Sequence, residues 1–212
     1  MFSFLFPFDI VRVYTSKKVF ATVFYKYDMK FLLLILTYFF AFSSYAETAV
    51  YFTPSNACEN NIILLLNNAK QQIDIAVYSI TNDNIVSAIK DAHKRGIKVR
   101  ILTDKTQAEN TSSKTSHLHN AGLDIKVHSK HRIEHNKFVV IDSQVVMTGS
   151  YNWTASATLK NSENCLKIWN DDTTVLEYQK RFEYLWVVNS KEKSDMWFEL
   201  KALKDMAKKV KK

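Results

Sequence analysis

Residues 135–153 read HNKFVVIDSQVVMTGSYNW, and this stretch decides the fold of the chain. His135 and Lys137 stand two positions apart at the start of an apolar run. Side chains alternate between the two faces of a strand, so both project to the same face and place an imidazole and an ammonium in one pocket. The bulky residues 138–141 continue the predicted strand and hold these two groups rigidly.

A hairpin is predicted directly after this strand. Asp142 begins the turn, and residues 145–147 return as a second strand that leads to Gly149. The return brings Ser150 and Asn152 toward the end of the strand pair at which the imidazole lies. The sequence therefore predicts one pocket built from both halves of the motif.

The spacing HxKx4Dx6GSxN resembles the HKD motif of the phospholipase D superfamily. The likeness extends to YFTPSNAC and QQIDIAVYSIT, and GSYNWTASATLKNSEN is similar to the corresponding region of small bacterial nucleases of this superfamily. It covers most of residues 49–186. The resemblance implies an α/β fold with a mixed β-sheet flanked by helices on both faces, and a single catalytic domain over residues 47–190.

The resemblance also implies a mechanism. A phosphohistidine would form on His135, a second histidine would protonate the leaving oxygen, and no metal or other cofactor would take part. Because the motif occurs once, similar members pair as a homodimer with one such histidine from each subunit. The residue types fit this chemistry, since an imidazole titrates near pH 6.5 in model compounds and is partly neutral at physiological pH. Lys137, Ser150 and Asn152 are expected to bind the phosphate oxygens.

Four residues around the motif carry further expectations. A neutral, nucleophilic imidazole needs a partner for its second ring nitrogen, and the resemblance assigns this catalytic role to Glu163. It also implies that Asp142 and Gly149 are structural. Glu134 directly precedes the catalytic histidine, where an apolar or small residue is more usual. Alternation along the strand turns Glu134 away from the pocket, so we expect it to have a modest effect.

The remaining sequence alternates short β-branched runs with longer amphipathic runs, which is typical of one α/β domain. Gly96 and Gly122 stand where predicted helices end, a position that favours a left-handed glycine. The predicted strands cover residues 49–52, 73–80, 98–103, 125–128 and 164–169, and the predicted helices cover 56–69, 84–94, 112–120 and 173–186. The core candidates of the last helix are Leu176, Phe182, Leu185 and Trp186.

The first part of the chain is interpreted as targeting sequence. Residues 29–46 begin with Met-Lys, continue with FLLLILTYFFAF and end in Ser-Tyr-Ala, which is the pattern of a secretory signal peptide. Residues 1–28 are interpreted as a mis-called extension, and we expect a secreted or periplasmic protein. The alternative is an uncleaved membrane anchor. Export would allow Cys58 and Cys165 to form a disulfide, although the sequence does not give their distance.

Positive charge is concentrated at the C-terminus. The formal net charge is +8, and residues 191–212 contain eight lysines against four acidic residues. Residues 47–190 are nearly neutral, so a uniformly basic surface that coats nucleic acid is not indicated. Apolar residues recur at helical spacing among the lysines of this tail, which predicts a basic amphipathic helix. Such a helix either caps the domain with a solvated face or contacts a membrane surface or nucleic acid.

The motif leaves the substrate open. A nonspecific endonuclease acting on DNA or RNA is the leading hypothesis, and a phospholipase D that hydrolyses phosphatidylcholine to phosphatidate and choline uses the same chemistry. An alternative of another class is an inactive module that binds nucleic acid or membrane. The basic residues 128–132 either contact phosphate groups or form a solvated loop. Trp153 either stacks on a base or anchors the core.

Overall fold

The computed structural model describes residues 46–210, which form seven strands and seven helices. The strands are β1 (Glu47–Phe52), β2 (Gln72–Val77), β3 (Lys98–Asp104), β4 (Asp124–His128), β5 (Lys137–Ile141), β6 (Val145–Gly149) and β7 (Asn164–Trp169). The helices are α1 (Ala57–Asn68), α2 (Asp83–Lys94), α3 (Lys105–Glu109), α4 (Thr115–Asn120), α5 (Ala155–Leu159), α6 (Asp172–Val188) and α7 (Lys191–Val210). The predicted extension over 1–28 and nearly all of the predicted signal peptide over 29–46 lie outside the described residues.

All seven strands form one mixed sheet in the order β1-β7-β6-β5-β2-β3-β4. β2, β3 and β4 run parallel, and every other neighbouring pair is antiparallel. Val77 at the end of β2 lies opposite Lys137 at the start of β5. The carboxyl ends of β2, β3, β4 and β6 therefore share one edge with the amino ends of β5 and β7, and we call it the motif edge.

Helices cover both faces of the sheet. One face packs against α1 and α2, and the buried residues there include Ile62, Leu66, Ile85, Ile89, Ile75 and Val139. The other face packs against α6, and its core consists of Ala76, Leu102, Phe138, Val140, Val146, Val175, Phe182 and Leu185. This architecture confirms the predicted fold class of a mixed sheet flanked on both sides.

Several predicted elements differ in detail from the structure. Leu176, a predicted core residue, is 52% exposed, and Val175 takes its place because it shares the inward face of α6 with the other core residues. The predicted strand over 73–80 ends at Val77, and the predicted helix over 112–120 begins at Thr115. The short helices α3 and α5 are not predicted, because five residues carry less than two turns of periodicity.

The hairpin between β5 and β6 turns at Asp142 and Ser143, whose φ angles are 52° and 54°. The Asp142 carboxylate accepts backbone N–H groups from Lys70, Gln71 and Gln72, each at 2.8 Å. These three bonds anchor the hairpin to the segment that joins α1 to β2. They account for the structural role that the resemblance implies for Asp142.

Candidate active site

His135 and Lys137 converge on one aromatic ring at the motif edge. The ring centroids of His135 and Tyr78 lie 4.6 Å apart, and Lys137 Nζ lies 4.9 Å from the Tyr78 centroid. Lys137 Nζ also donates a hydrogen bond to the main-chain oxygen of His135 at 2.6 Å. The structure thus brings the imidazole and the ammonium together beside the same ring.

Tyr78 is a residue of this site that the sequence reasoning missed. It follows β2 directly, and its backbone N–H donates to the main-chain oxygen of Asn136 at 2.9 Å. Its phenol oxygen accepts a hydrogen bond from Gln107 Nε2 at 2.9 Å, which ties it to α3. The available signal was an aromatic residue near the carboxyl end of the buried strand predicted over 73–80.

The side chains of His135 and Lys137 differ in their exposure to solvent. His135 is exposed, and among residues 46–210 neither of its ring nitrogens has a hydrogen-bond partner. Lys137 is only 8% exposed. Burial lowers the pKa of Lys137 from 10.5 to about 8, although the carboxylates of Glu163 and Glu134 act in the opposite direction. The ammonium is therefore mostly charged at neutral pH.

Ser150 and Glu163 bond to each other. Ser150 Oγ donates to Glu163 Oε2 at 2.5 Å and accepts the backbone N–H of Asn164 at 3.1 Å. The second oxygen, Glu163 Oε1, accepts from Asn161 Nδ2 at 3.0 Å. The resemblance assigns Glu163 to orienting the catalytic imidazole, but within one chain both carboxylate oxygens are engaged by other residues instead.

Gly149 permits the contact between Ser150 and Glu163. Its φ is 148°, and a Cβ there would lie 2.3 Å from the main-chain oxygen of Asn164. No side chain fits, because the obstacle is backbone of the neighbouring strand β7. The absence of a side chain lets β6 approach β7 closely and brings Ser150 within reach of Glu163.

Asn152 and Trp153 follow on the same segment. Asn152 Oδ1 is buried and has no hydrogen-bond partner in the part of the chain that the structure describes. The Trp153 backbone donates to the oxygen of Ser79 at 3.1 Å and accepts from Thr81 and Asn82 at 2.9 and 3.0 Å. Because the Trp153 side chain is 2% exposed, it anchors the core and cannot stack on a base. Ser79 directly follows the tyrosine that faces the imidazole, so the two halves of the motif meet at this segment.

Glu134 has a larger structural role than the alternation of side chains along a strand predicts. Its side chain is 2% exposed, and Oε1 accepts both the backbone N–H and the side-chain Nδ2 of Asn136 at 3.2 and 2.5 Å. Oε2 lies 3.5 Å from Nδ1 of His128. The alternation argument does not apply, because β5 begins only at Lys137. Glu134 instead holds the segment on both sides of the motif histidine.

The basic segment 128–132 divides into a buried and an exposed part. His128 is buried, and its Nε2 accepts the backbone N–H of His131 at 2.8 Å. Burial lowers the pKa of His128 and disfavours its charged form. Lys130 and Arg132 are exposed just before the motif. These two cations, and not His128, are available to a phosphate group.

A disulfide joins Cys58 to Cys165, with their Cα atoms 6.0 Å apart. It connects α1 to β7, and Cys165 lies opposite Gly149 in the sheet. The bond therefore fixes α1 against the strand that begins directly after Glu163. The sequence left this pairing open, and the structure settles it.

Comparison with known proteins places these residues in a family. A model of the family described as "Cardiolipin synthase, PLD-like domain" matches residues 62–186, which include every predicted site residue. The "Mitochondrial cardiolipin hydrolase" of Xenopus tropicalis is 35% identical over 127 residues, which are 60% of this chain and 60% of that protein. The "Phospholipase D" of Rickettsia prowazekii (strain Madrid E) is 34% identical over 125 residues, which are 59% of this chain and 61% of that protein. The chain thus spans about three fifths of the length of these relatives.

Two solved structures share the fold over nearly their whole length. Nuc from Salmonella typhimurium, described as a phospholipase D family member, has a TM-score of 0.65 and 28% identity over 69% of this chain and 97% of that one. NucT from Helicobacter pylori has a TM-score of 0.63 and 25% identity over 68% of this chain and 98% of that one. The chain therefore belongs to the PLD-like domain family of the phospholipase D superfamily.

Proposed function

We propose that this chain is an exported phosphodiesterase that hydrolyses phosphodiester bonds through a phosphohistidine intermediate on His135. The observation that carries the proposal is the meeting of His135 and Lys137 at the Tyr78 ring, at 4.6 and 4.9 Å. An exposed imidazole beside a buried ammonium offers a nucleophile and a fixed positive charge to one phosphate. The names of the relatives, cardiolipin hydrolase and phospholipase D, support phosphoric diester chemistry.

In the proposed reaction, a neutral ring nitrogen of His135 attacks phosphorus. The new N–P bond forms while the P–O bond to the leaving group breaks, and the leaving oxygen takes a proton from a second imidazole. Water then attacks the phosphorus of the phosphohistidine and gives a proton to that second imidazole. The new P–O bond forms while the N–P bond breaks, which restores both imidazoles. Lys137 and the Asn152 amide stabilise the non-bridging oxygens in each step.

This reaction needs two imidazoles, and each chain supplies one motif. We infer that two copies pair about a two-fold axis, so that His135 of each copy faces the same phosphate. The exposed hydroxyl of Ser150 and its partner Glu163 lie at the motif edge. We propose that Glu163 orients the imidazole of the second copy, because neither ring nitrogen of His135 is bonded among residues 46–210 of its own chain.

For the substrate, we propose nucleic acid, cut as a nonspecific endonuclease on DNA or RNA. The likeness of GSYNWTASATLKNSEN to small bacterial nucleases supports this choice. The exposed Lys130 and Arg132 before the motif are suited to phosphate groups of a backbone. The second candidate is a phospholipase D acting on phosphatidylcholine. The names of the relatives favour a phospholipid substrate, which is cardiolipin in one of them.

Export is supported by the disulfide between Cys58 and Cys165, because such bonds persist in oxidising compartments and are rare in the cytosol. Protein isolated from its native cells without reductant should show no free thiol after unfolding. Two free thiols in that material would contradict the proposed location.

The test of the proposed activity uses the purified full chain on plasmid DNA and on phosphatidylcholine vesicles, each with a metal chelator. His135→Asn serves as the control and should remain folded and dimeric without turnover. Cleavage of DNA that falls steeply with added salt would support the endonuclease, because phosphate contacts release counterions. Loss of activity with chelator would contradict the metal-free mechanism. A folded dimer that cleaves neither substrate would favour the inactive binding module.

A further inference from the structure

Helix α7 is attached to the domain by one face only. Ser194 and Phe198 are buried on that face, and Ser194 Oγ accepts the backbone N–H of Val127 in β4 at 3.0 Å. The Phe198 ring stacks on the ring of His119 in α4, with the centroids 4.2 Å apart. These contacts hold the helix in place without the side chains on its opposite face.

An apolar stripe runs along that opposite face. It consists of Met196, Leu200, Leu203 and Met206, which are between 54 and 60% exposed. Their spacing of four, three and three residues keeps them on one side of a helix with 3.6 residues per turn. The exposed Glu199 lies on the same side of the helix and places one carboxylate within the stripe. Four large exposed apolar side chains on one helix face are not required by the fold and mark a contact surface.

Lysines border this apolar stripe. Lys201, Lys204 and Lys208 line an open groove of about 310 Å³ between α7 and Glu109 of α3, and Trp197 forms part of its wall. Asp205 pairs with Lys201 at 2.7 Å, and because Glu109 also lines the groove, the lysines there exceed the carboxylates by one. Beyond residue 200 the sequence contains six lysines against one acidic residue. The border of the stripe is therefore suited to an anionic surface.

The groove lies toward the motif edge of the sheet. Glu109, in its wall, belongs to α3, which follows the carboxyl end of β3. Gln107 of the same helix donates to the phenol of Tyr78, whose ring faces His135. The groove beside α7 therefore lies at the same end of the sheet as the candidate active site.

We propose that α7 docks the protein on anionic phospholipid surfaces, with the apolar stripe inserted among the lipids and the lysines at their head groups. An interfacial helix combines an apolar face with bordering lysines in this way. A nucleic acid would attract the lysines but would leave the apolar stripe exposed to water. None of the helices within residues 46–210 is long and apolar enough to cross a bilayer. The contact lies in the plane of the surface and does not depend on which phosphodiester is cut.

The test measures co-sedimentation of the chain from residue 47 to residue 212 with vesicles, so that the apolar residues 31–42 do not themselves bind lipid. It uses the His135→Asn background so that the lipids stay intact. The vesicles are pure phosphatidylcholine or phosphatidylcholine mixed with phosphatidylglycerol. We expect binding to the anionic vesicles, weakened about tenfold or more by Leu200→Ser/Leu203→Ser and by Lys204→Glu/Lys208→Glu. Equal binding to both kinds of vesicle, or to neither, would overturn the proposal.

Matched controls separate the surface from general effects. Lys94→Glu/Lys98→Glu makes the same change in net charge at the opposite edge of the sheet, and Leu176→Ser removes an exposed leucine from α6. Both controls should bind anionic vesicles as the parent does, and equal losses in them would overturn the proposal. Circular dichroism verifies that each variant is folded.

Two further readouts identify other occupants of α7. Size-exclusion chromatography without lipid shows whether Leu200→Ser/Leu203→Ser converts a dimer into a monomer, in which case the stripe is an interface between copies. Retention of a fluorescent DNA duplex is measured for Lys204→Glu/Lys208→Glu. Loss of duplex binding with unchanged vesicle binding would assign the lysines to nucleic acid. Either result would overturn the proposal, and unchanged dimerisation and duplex binding would support it.

Discussion

Replacing Lys137 with methionine is expected to stabilise the protein at neutral pH while abolishing turnover. Lys137 is 8% exposed. Its ammonium lies over the Tyr78 ring and donates a hydrogen bond to the main-chain oxygen of His135. Burial disfavours the charged form, and the pKa of Lys137 accordingly falls from 10.5 to about 8. Methionine has a similar length and carries no charge, so it removes this cost.

The size of the effect follows from the pKa change. Each pKa unit corresponds to about 1.4 kcal/mol, so a fall from 10.5 to about 8 sets a ceiling of about 3 kcal/mol. Lost contacts of the ammonium and partial hydration reduce the net gain at pH 7 to about 1 to 2 kcal/mol. For a domain of this size, that gain raises Tm by roughly 2 to 8 °C.

The pH dependence gives the sharper test. Between pH 8 and 10.5 the unfolded chain keeps the Lys137 proton and the folded protein has released it, so the free energy of unfolding of the wild type rises with pH. Below pH 8 both states hold the proton and the full penalty of burial applies. The advantage of Lys137→Met should therefore be largest at pH 7 and shrink as the pH approaches 10.5.

Urea denaturation of the wild type and Lys137→Met at pH 7, 8.5 and 10 measures the difference in their free energies of unfolding. The contributions of all other titrating groups to that difference cancel. Lys98→Met is the control, because it makes the same substitution at an exposed lysine. A Lys137→Met protein that is less stable than the wild type at pH 7 would show that burial of the Lys137 charge does not destabilise the fold. A difference between the two proteins that is independent of pH would show that the pKa of Lys137 is not lowered in the folded protein.

Three further changes test the elements that support the site. Glu134→Ala should lower kcat about tenfold to a hundredfold with little change in KM, because it releases the segment around the motif histidine, whereas Glu134→Gln keeps an acceptor oxygen and should restore most of kcat. Steady-state kinetics of both variants decides this, and equal losses would contradict a positioning role. Replacing Cys58 and Cys165 by alanine together should lower the free energy of unfolding by about 2 to 4 kcal/mol in urea, and an unchanged midpoint would contradict a stabilising disulfide. Gly149→Ala should cost at least about 2 kcal/mol, because its Cβ would lie 2.3 Å from backbone; thermal unfolding within 2 °C of the wild type would show that β7 can move.

Much of the fold could be predicted because its signals are local. The two-residue spacing of His135 and Lys137 placed their side chains together, and the apolar runs on either side of Asp142 predicted the hairpin. Helix α1 was predicted within one residue at each end, since its apolar spacing and flanking polar residues define it. In each case, neighbouring residues contain the information.

The rest depended on contacts between distant parts of the chain. Tyr78 was not expected in the site, because its place beside the imidazole depends on how β2 pairs with β5. Glu134 was interpreted by strand alternation, although the strand begins three residues later. The bond between Ser150 and Glu163 joins residues thirteen positions apart and is set by the approach of β6 to β7. Periodicity along the sequence does not report such distances.

The claim on which the account most depends is that two chains share one active site, each giving it a His135. Wild-type protein and His135→Asn are refolded together in equal amounts, so that about one quarter of the dimers contain two intact histidines. With a shared site, activity per total wild-type chain should fall to about half of its value in the pure wild type, and it should keep falling as more His135→Asn is added. Activity per wild-type chain that does not change with added His135→Asn would show that each chain works alone, and would contradict the shared site.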